Sequence, residues 1–181
     1  MGNSYSGDAA VTDRPSRTTA PLEQDDGRDA SLILELDSFL PYRLNLLAER
    51  VSRSFSQIYA NQLGIGIPEW RVLAIIGQYG RVTSKEIGIR STMHKTKVSR
   101  AVSALEAKGY VVRAANPLDM RESYLELTAS GRQTYTDLVP QALAFSNELM
   151  NALTPDQKQV LSDIYDRLLE AADDFKPGAK N

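Results

Sequence analysis

A mostly α-helical chain with one small β-hairpin is the fold class that the sequence predicts, and three observations predict it. Apolar residues recur at steps of three and four through several long segments. Helix-start signals punctuate those segments: Thr83-Ser84-Lys85-Glu86, Thr128, and Thr154-Pro155-Asp156-Gln157. Only two short runs, 110–114 and 124–127, are rich in β-branched and aromatic residues, and a polar, proline-containing turn joins them.

Residues 1–30 are polar, aperiodic and rich in Ser, Thr, Asp, Gly and Pro. They cannot bury enough apolar area to offset the entropy of ordering, so residues 1–35 are expected to form a flexible acidic tail. Helical periodicity starts at Leu36 and runs to about Leu63, with Leu40, Leu44, Leu47, Val51, Phe55 and Ile58 on one stripe. Arg43, Arg50 and Gln57 follow a seven-residue step along its flank. Pro41 must lie in the first turn or kink this helix, and Leu63-Gly64-Ile65-Gly66 ends it. A second helix spans Glu69 to Tyr79 behind Pro68, with Trp70, Leu73, Ala74 and Ile76 inward, and Gly80 closes it.

The Thr83–Glu86 capping box opens a third helix that runs to about Arg90 with Ile87 inward. Ser91-Thr92-Met93 is a turn. A fourth helix spans about His94 to Lys108, buries Val98, Val102 and Leu105, and ends at Gly109. The hairpin follows, as strands at 110–114 and 124–127 with a charged tip between them. Thr128 caps a fifth helix to about Ala152, with Tyr135, Leu138, Leu143 and Leu149 inward and a kink expected at Pro140. The last helix starts at Thr154 and carries Val160, Leu161, Ile164, Leu168 and Leu169 to about Phe175.

Composition narrows the function. The 181 residues are 42% hydrophobic, enough for one sizeable core. No apolar run reaches membrane-spanning length, and the N-terminus lacks the basic and apolar blocks of a secretory signal, so a cytoplasmic location is expected and no membrane partner. Cysteine is absent, which excludes disulfides, thiol catalysis, thiol redox sensing and thiolate metal sites. The formal net charge is only −2, but residues 81–121 hold nine basic and three acidic side chains, whereas residues 1–38 hold three and eight. A local excess of this size attracts a polyanion even on an acidic protein.

The segment from Thr83 to Leu127 reads as a helix-turn-helix followed by a wing. A helix that enters the major groove needs short polar or basic residues near its N-terminus. Lys95, Thr96, Lys97, Ser99 and Arg100 supply them, while Val98, Val102 and Leu105 lock the back of the helix to the body. Thr96, Lys97, Ser99 and Arg100 are the candidate base contacts, and Lys95 a phosphate contact. Arg121 places a cation at the wing tip, and Asp119 and Arg113 are expected to pair and fix the wing.

The same stretch resembles the recognition helix and wing of the MarR family of transcriptional regulators. The resemblance rests on Leu105, Glu106, Gly109, Tyr110, Val111 and Arg113, then on Asp119 and Arg121, then on Leu127, Thr128, Gly131 and Arg132. It extends over about Leu36 to Phe175 and leaves the acidic tail outside. It implies a winged helix-turn-helix domain at 67–128 and a helical dimerisation region at 36–66 and 129–176. The terminal helices carry more apolar surface than one small domain can cover, notably Leu36, Phe39, Leu161, Ile164, Leu168 and Phe175. A two-fold homodimer would set two recognition helices about one turn of double-stranded DNA apart, on a pseudo-palindromic operator.

The resemblance also implies a repressor released by a small-molecule effector held between the dimer helices and the winged domain. Arg43, Arg50, Arg53, Tyr59, Trp70 and Arg71 form a cation-plus-aromatic set near that junction, suited to an aromatic carboxylate. The arginine seam is similar to that of members sensing aromatic acyl-CoA thioesters, which points to the catabolism of aromatic compounds. Plain core packing of Trp70 and solvated arginines are the alternative reading of that set. His94, the single histidine, lies at the start of the recognition helix, where a cap or DNA-backbone role suits it better than metal ligation. No phosphate loop, metal-ligand spacing or nucleophile–base set is present, so neither an enzyme nor a cofactor is expected. A ligand-independent architectural DNA-binding protein is the alternative function. A winged helix used only for protein contact is disfavoured by Lys95, Lys97, Arg100 and Arg121.

Overall fold

The computed structural model describes residues 33–176 apart from Leu118, so nearly all of the expected acidic tail lies outside the described residues. Six helices and three strands follow one another: α1 (Leu40–Leu63), α2 (Ile67–Tyr79), β1 (Val82–Thr83), α3 (Ser84–Ser91), α4 (Lys95–Ala107), β2 (Val111–Ala114), β3 (Tyr124–Leu127), α5 (Ala129–Met150) and α6 (Pro155–Asp174).

Local chemistry sets most boundaries. Pro41 lies in the first turn of α1, and Gly64 ends that helix in the left-handed region at φ 59°. Thr83 Oγ1 accepts from the Glu86 N–H at 3.2 Å while the Thr83 N–H donates to Glu86 Oε2 at 2.7 Å, which fixes the start of α3. That exchange, chiefly the backbone donor, holds the Glu86 carboxyl below its ordinary pKa. α4 ends in a Schellman motif: Gly109 donates to Glu106 and Tyr110 donates to Leu105, both at 2.9 Å. Thr128 and Thr154 cap α5 and α6 as the sequence indicates. α5 continues through Pro140 as one assigned helix.

The strands form a three-stranded antiparallel sheet in the order β1-β3-β2. β1 is a third strand that the sequence does not reveal; Val82 pairs with Leu125 and Thr83 with Tyr124. Arg113 stands opposite Leu125 in the β2–β3 ladder. Leu125 and Leu127 point into the core between outward-facing neighbours, the period-two pattern of a half-buried strand.

The core lies in the middle third of the chain. Val72, Leu73 and Ile76 of α2, Ile87 of α3, and Val98, Ala101, Val102 and Leu105 of α4 are buried together with Val111, Leu125 and Leu127 of the sheet. Phe55 and Tyr59 of α1 and Leu138 of α5 close it from above. Expectations for the inward faces of α2 and α5 need correction. Val72 rather than Ala74 fills the centre of α2, and Trp70 is only half-buried. Leu143 and Leu149, expected on the inner stripe of α5, are exposed on the single chain. α6 buries none of its apolar residues; Val160, Leu161, Ile164, Leu168 and Leu169 all face outward.

Candidate nucleic-acid interface

α4 is held by its buried stripe, so the opposite face is fixed outward. At 100° per residue, Val98, Ala101, Val102 and Leu105 define the inner side, which places Thr96 and Arg100 near the centre of the outer side. Lys95 and Ser99 fall on the edge toward the wing, and all four side chains are exposed. Ser103, exposed one turn beyond Ser99, shares this face and was not singled out from the sequence. His94 occupies the N-cap position of α4 without a side-chain cap bond.

Lys97 lies elsewhere. It is turned away from the outer centre and lines a cleft with Asn45, Glu49 and Ser52 of α1 and Arg71 of α2. Of the expected base contacts it is the one that faces the other helices.

The wing comes close to α4. Lys95 and Ser99 share a notch of about 280 Å³ with Ser84 of α3 and with Arg113, Arg121, Glu122 and Ser123 of the hairpin. Three hydroxyls and three cations surround this concave surface, and Glu122 is the one acidic member among the described residues. Ser84, Ser123 and Glu122 become visible only when the hairpin folds back against α3 and α4.

The expected Arg113–Asp119 pair is corrected. Arg113 donates from Nε to Glu106 Oε1 at 2.8 Å and from its NH2 group to Oε2 at 3.0 Å, a two-pronged bond to the last turn of α4. Asp119 instead builds the wing tip: its Oδ1 accepts the Arg121 backbone N–H at 2.9 Å, and its own N–H donates to Asn116 Oδ1 at 3.2 Å. The wing therefore has two separate supports, with Glu106 at its base and Asn116 and Asp119 at its tip.

Three other cations of the basic segment are occupied. Arg81 pairs with Glu126 and lies 5.5 Å from the centre of the Tyr124 ring. Arg90 sits 3.8 Å over the Tyr79 ring. Lys108 donates to the Leu63 carbonyl at 3.1 Å. Among the described residues, Lys85, Lys95, Lys97, Arg100 and Arg121 form no ion pair.

The expected effector residues divide. Tyr59, Trp70 and Arg71 line a cavity of about 270 Å³ together with Phe55, Phe145 and Leu149. Phe55 stands edge-on to Tyr59 and to Trp70, each at 5.3 Å, and Tyr59 stacks on Trp70 at 5.6 Å. Burial pushes the Tyr59 phenol up to about 12, partly offset by the nearby Arg71 cation. Arg43, Arg50 and Arg53 stand outside this cavity on the exposed face of α1, and Arg53 pairs with Glu49. Among the described residues no acidic or histidine cluster could hold a metal ion, and no helix is long and apolar enough to cross a membrane.

Comparison with known proteins agrees with this geometry. The sequence profile of the MarR family matches residues 65–123, from the start of α2 to the wing tip. The crystal structure of a MarR family transcriptional regulator from Silicibacter pomeroyi DSS-3 is 31% identical, with a TM-score of 0.63, over 75% of this chain and 99% of that one. A MarR/EmrR family regulator from Acinetobacter sp. ADP1 superposes with a TM-score of 0.71 at 24% identity, over 78% of this chain and all of the other. The HTH-type transcriptional regulator YwoH of Bacillus subtilis is 24% identical over 131 residues, covering 72% of this chain and 94% of its own. With its mostly helical architecture and small antiparallel sheet in common with these proteins, the chain belongs to the MarR family of winged helix-turn-helix transcriptional regulators.

Proposed function

We propose that the protein binds a pseudo-palindromic operator as a homodimer and represses transcription until an anionic aromatic effector releases it. The observation that carries the DNA reading is the unpaired state of Lys95, Arg100 and Arg121 on one surface, while Arg81, Arg90 and Arg113 nearby are spent on internal partners. Thr96, Ser99 and Arg100 sit where base edges of the major groove would lie, Lys95 with Ser84 and Ser123 of the notch takes the phosphates between the grooves, and Arg121 reaches the minor groove. In this arrangement Arg113 and Asp119 support the wing rather than touch DNA.

Dimerisation follows from uncovered apolar surface. Leu36, Phe39, Leu40, Leu44 and Leu47 around the start of α1, Leu143 and Leu149 of α5, and the apolar stripe of α6 are all exposed on the isolated chain. A soluble monomer rarely leaves so continuous an apolar face to water. A second copy covers it with the same surface, and the two α4 helices then face one side of a duplex. In this reading residues 36–66 and 129–176 are the dimerisation region, residues 67–128 the DNA-binding domain, and residues 1–35 an acidic extension.

The effector reading rests on the aromatic cavity. It suits a single planar ring, with Arg71 at its wall to meet a carboxylate. The neighbouring cleft at Lys97 shares Ser52, Ile67 and Arg71 with it, which leaves a cationic exit for a longer anionic arm such as that of a CoA thioester. Through Lys97 an occupant would bear on the recognition helix itself.

Selection of bound duplexes from a random pool, with sedimentation of the protein alone, tests the core of this proposal. Recovery of an inverted repeat and a dimer is the expected result. Binding without sequence preference would establish an architectural protein instead, and a monomer that ignores every duplex at low salt would refute both. A thermal-shift screen of aromatic acids and their thioesters, repeated on Arg71→Ala, tests the effector. A ligand that shifts the wild-type melt and releases the operator should lose its effect in the variant.

A further inference from the structure

The wing tip carries an apolar side chain where a solvated turn would select a polar one. Glu122 N–H donates to the Asp119 carbonyl at 3.1 Å, closing a tight turn with Met120 and Arg121 as its two central residues. Gly, Asn, Asp and Ser ordinarily fill such positions. Met120 is 96% exposed, the highest value among the described large apolar residues. The turn beneath it is built: Asp119 bonds to the Arg121 backbone and to Asn116, and Asn116 is itself only 8% exposed. Met120 is therefore held out beside Arg121 by an anchored scaffold.

Most other exposed large apolar residues belong to the terminal-helix faces that a second copy would cover. Among the described residues of the winged domain there are four: Tyr79, Ile89, Val112 and Met120. The Arg90 guanidinium covers the Tyr79 ring, and Val112 lies within a sheet strand. Ile89, 70% exposed, lines a cleft next to Lys85 and Lys95. Met120 projects from the tip, next to the exposed Arg121. Its thioether side chain can neither neutralise a phosphate nor replace the hydrogen bonds of groove water. It is unbranched and polarisable, and fits irregular gaps between flat surfaces.

We propose that Met120 is an apolar wedge that enters the minor groove with Arg121 and partly unstacks one base step in each half of the operator. The proposal rests on the reading of the protein as a duplex-binding regulator. Apolar side chains that act in this way kink the duplex toward the major groove. Flexible pyrimidine–purine steps yield most easily, so Met120 would impose a preference for TA or CA/TG at the wing position without any hydrogen bond to a base.

The test uses the full-length protein and an operator selected from a random pool. 2-Aminopurine is placed in turn at each position flanking the half-sites, and bending is read from circularly permuted fragments. Wild-type binding should raise the fluorescence at one flanking step and bend the duplex. Met120→Ala should lose both signals and bind about tenfold more weakly, whereas Met120→Leu keeps them. The salt slope of Met120→Ala should equal that of wild type, because no phosphate contact is removed. Equal fluorescence, bend and affinity in wild type and Met120→Ala overturns the wedge while leaving the regulator reading intact. Wild-type protein that binds no duplex overturns both.

Discussion

Replacing Gly131 by alanine sets two effects of known size against each other. Gly131 is the third residue of α5, and alanine at a helical position is ordinarily worth up to about 1 kcal/mol over glycine. Here a Cβ built on the backbone lies 1.9 Å from the Tyr110 carbonyl oxygen, 2.8 Å from its carbon and 3.0 Å from its Cα. Restoring an ordinary carbon–oxygen contact of about 3.3 Å requires the helix or the chain at Tyr110 to retreat by about 1.4 Å. The obstacle is backbone, so no rotamer change relieves it. The same Tyr110 oxygen accepts the Thr128 N–H at 3.1 Å, and Thr128 Oγ1 donates to the Gly109 carbonyl at 2.6 Å, so the retreat pulls on two further bonds. Overpacking costs roughly 1–3 kcal/mol, and a strained or lost hydrogen bond about 1 kcal/mol. After the helical gain is subtracted, Gly131→Ala should be destabilised by about 2–4 kcal/mol, a fall in Tm of roughly 5–15 °C for a chain of this size. Urea or thermal unfolding at fixed protein concentration measures it, so that any contribution from association is held constant. Gly88→Ala is the control, because its Cβ meets the Met93 oxygen at 3.3 Å and Val98 Cγ2 at 4.0 Å, and it should stay within about 1 kcal/mol of wild type. A Gly131→Ala protein as stable as wild type, or more so, would show that the close approach of α5 to Tyr110 does not exist in solution.

Other residues make separable predictions. Arg121→Ala should lower the salt dependence of operator binding by about one counterion and weaken all operators alike, whereas Arg100→Ala should relax preference at one base pair; quantitative binding titrations over an operator library separate the two. Thr83→Ala removes the N-cap of α3 and should cost about 1 kcal/mol in denaturant unfolding. Glu86 titrates below its ordinary range in the folded protein, so its contribution is present at neutral pH and is lost as pH falls through the folded value. Accordingly Glu86→Gln should be less stable than wild type at pH 7, and unfolding curves of the two should converge in acid. The Tyr59 phenol, raised from 10.0 to about 12, has the opposite sign. Its stabilisation holds below pH 10 and disappears as pH rises toward 12, and Tyr59→Phe should remove that alkaline loss from a pH series of melts.

How much of this was legible in the chain depends on the range of the interaction that decides each feature. The capping boxes at Thr83 and Thr154 and the glycine at 109 act within five residues, so their sequence patterns alone place the helix ends. The two-residue strand β1 has no such signal; it exists only because Val82 and Thr83 meet Leu125 and Tyr124 some forty residues later. The same distinction governs the site. Thr96, Ser99 and Arg100 could be assigned to the outer face because the apolar stripe of their own helix fixes the phase. Lys97 differs from Thr96 by one 100° step, and the sequence does not say that α1 and Arg71 occupy the space on that side. Arg113 and Asp119 looked like partners because both lie near the wing, yet the Schellman turn at Gly109 reverses the chain so that β2 leads back past the end of α4 and presents Arg113 to Glu106, seven residues earlier.

The apolar residues of α5 and α6 carry the same logic beyond one chain. Leu143 and Leu149 read as core because periodicity registers that a stripe will be buried, not which molecule buries it. Their exposure on the single chain, together with that of Leu161, Ile164 and Leu168, leaves the question of what covers the stripe to a second protomer or to water. A charged replacement discriminates between the alternatives. Ile164→Glu faces solvent in a monomer and should leave its melting unchanged within about 0.5 kcal/mol. In a dimer it places two carboxylates in or beside an apolar seam, which burial and mutual repulsion both oppose. Sedimentation should then show dissociation, and operator affinity should fall far more than any single DNA contact explains, because two linked half-sites become two independent ones. A variant that sediments and binds its operator like wild type would mean that α6 is not part of the seam.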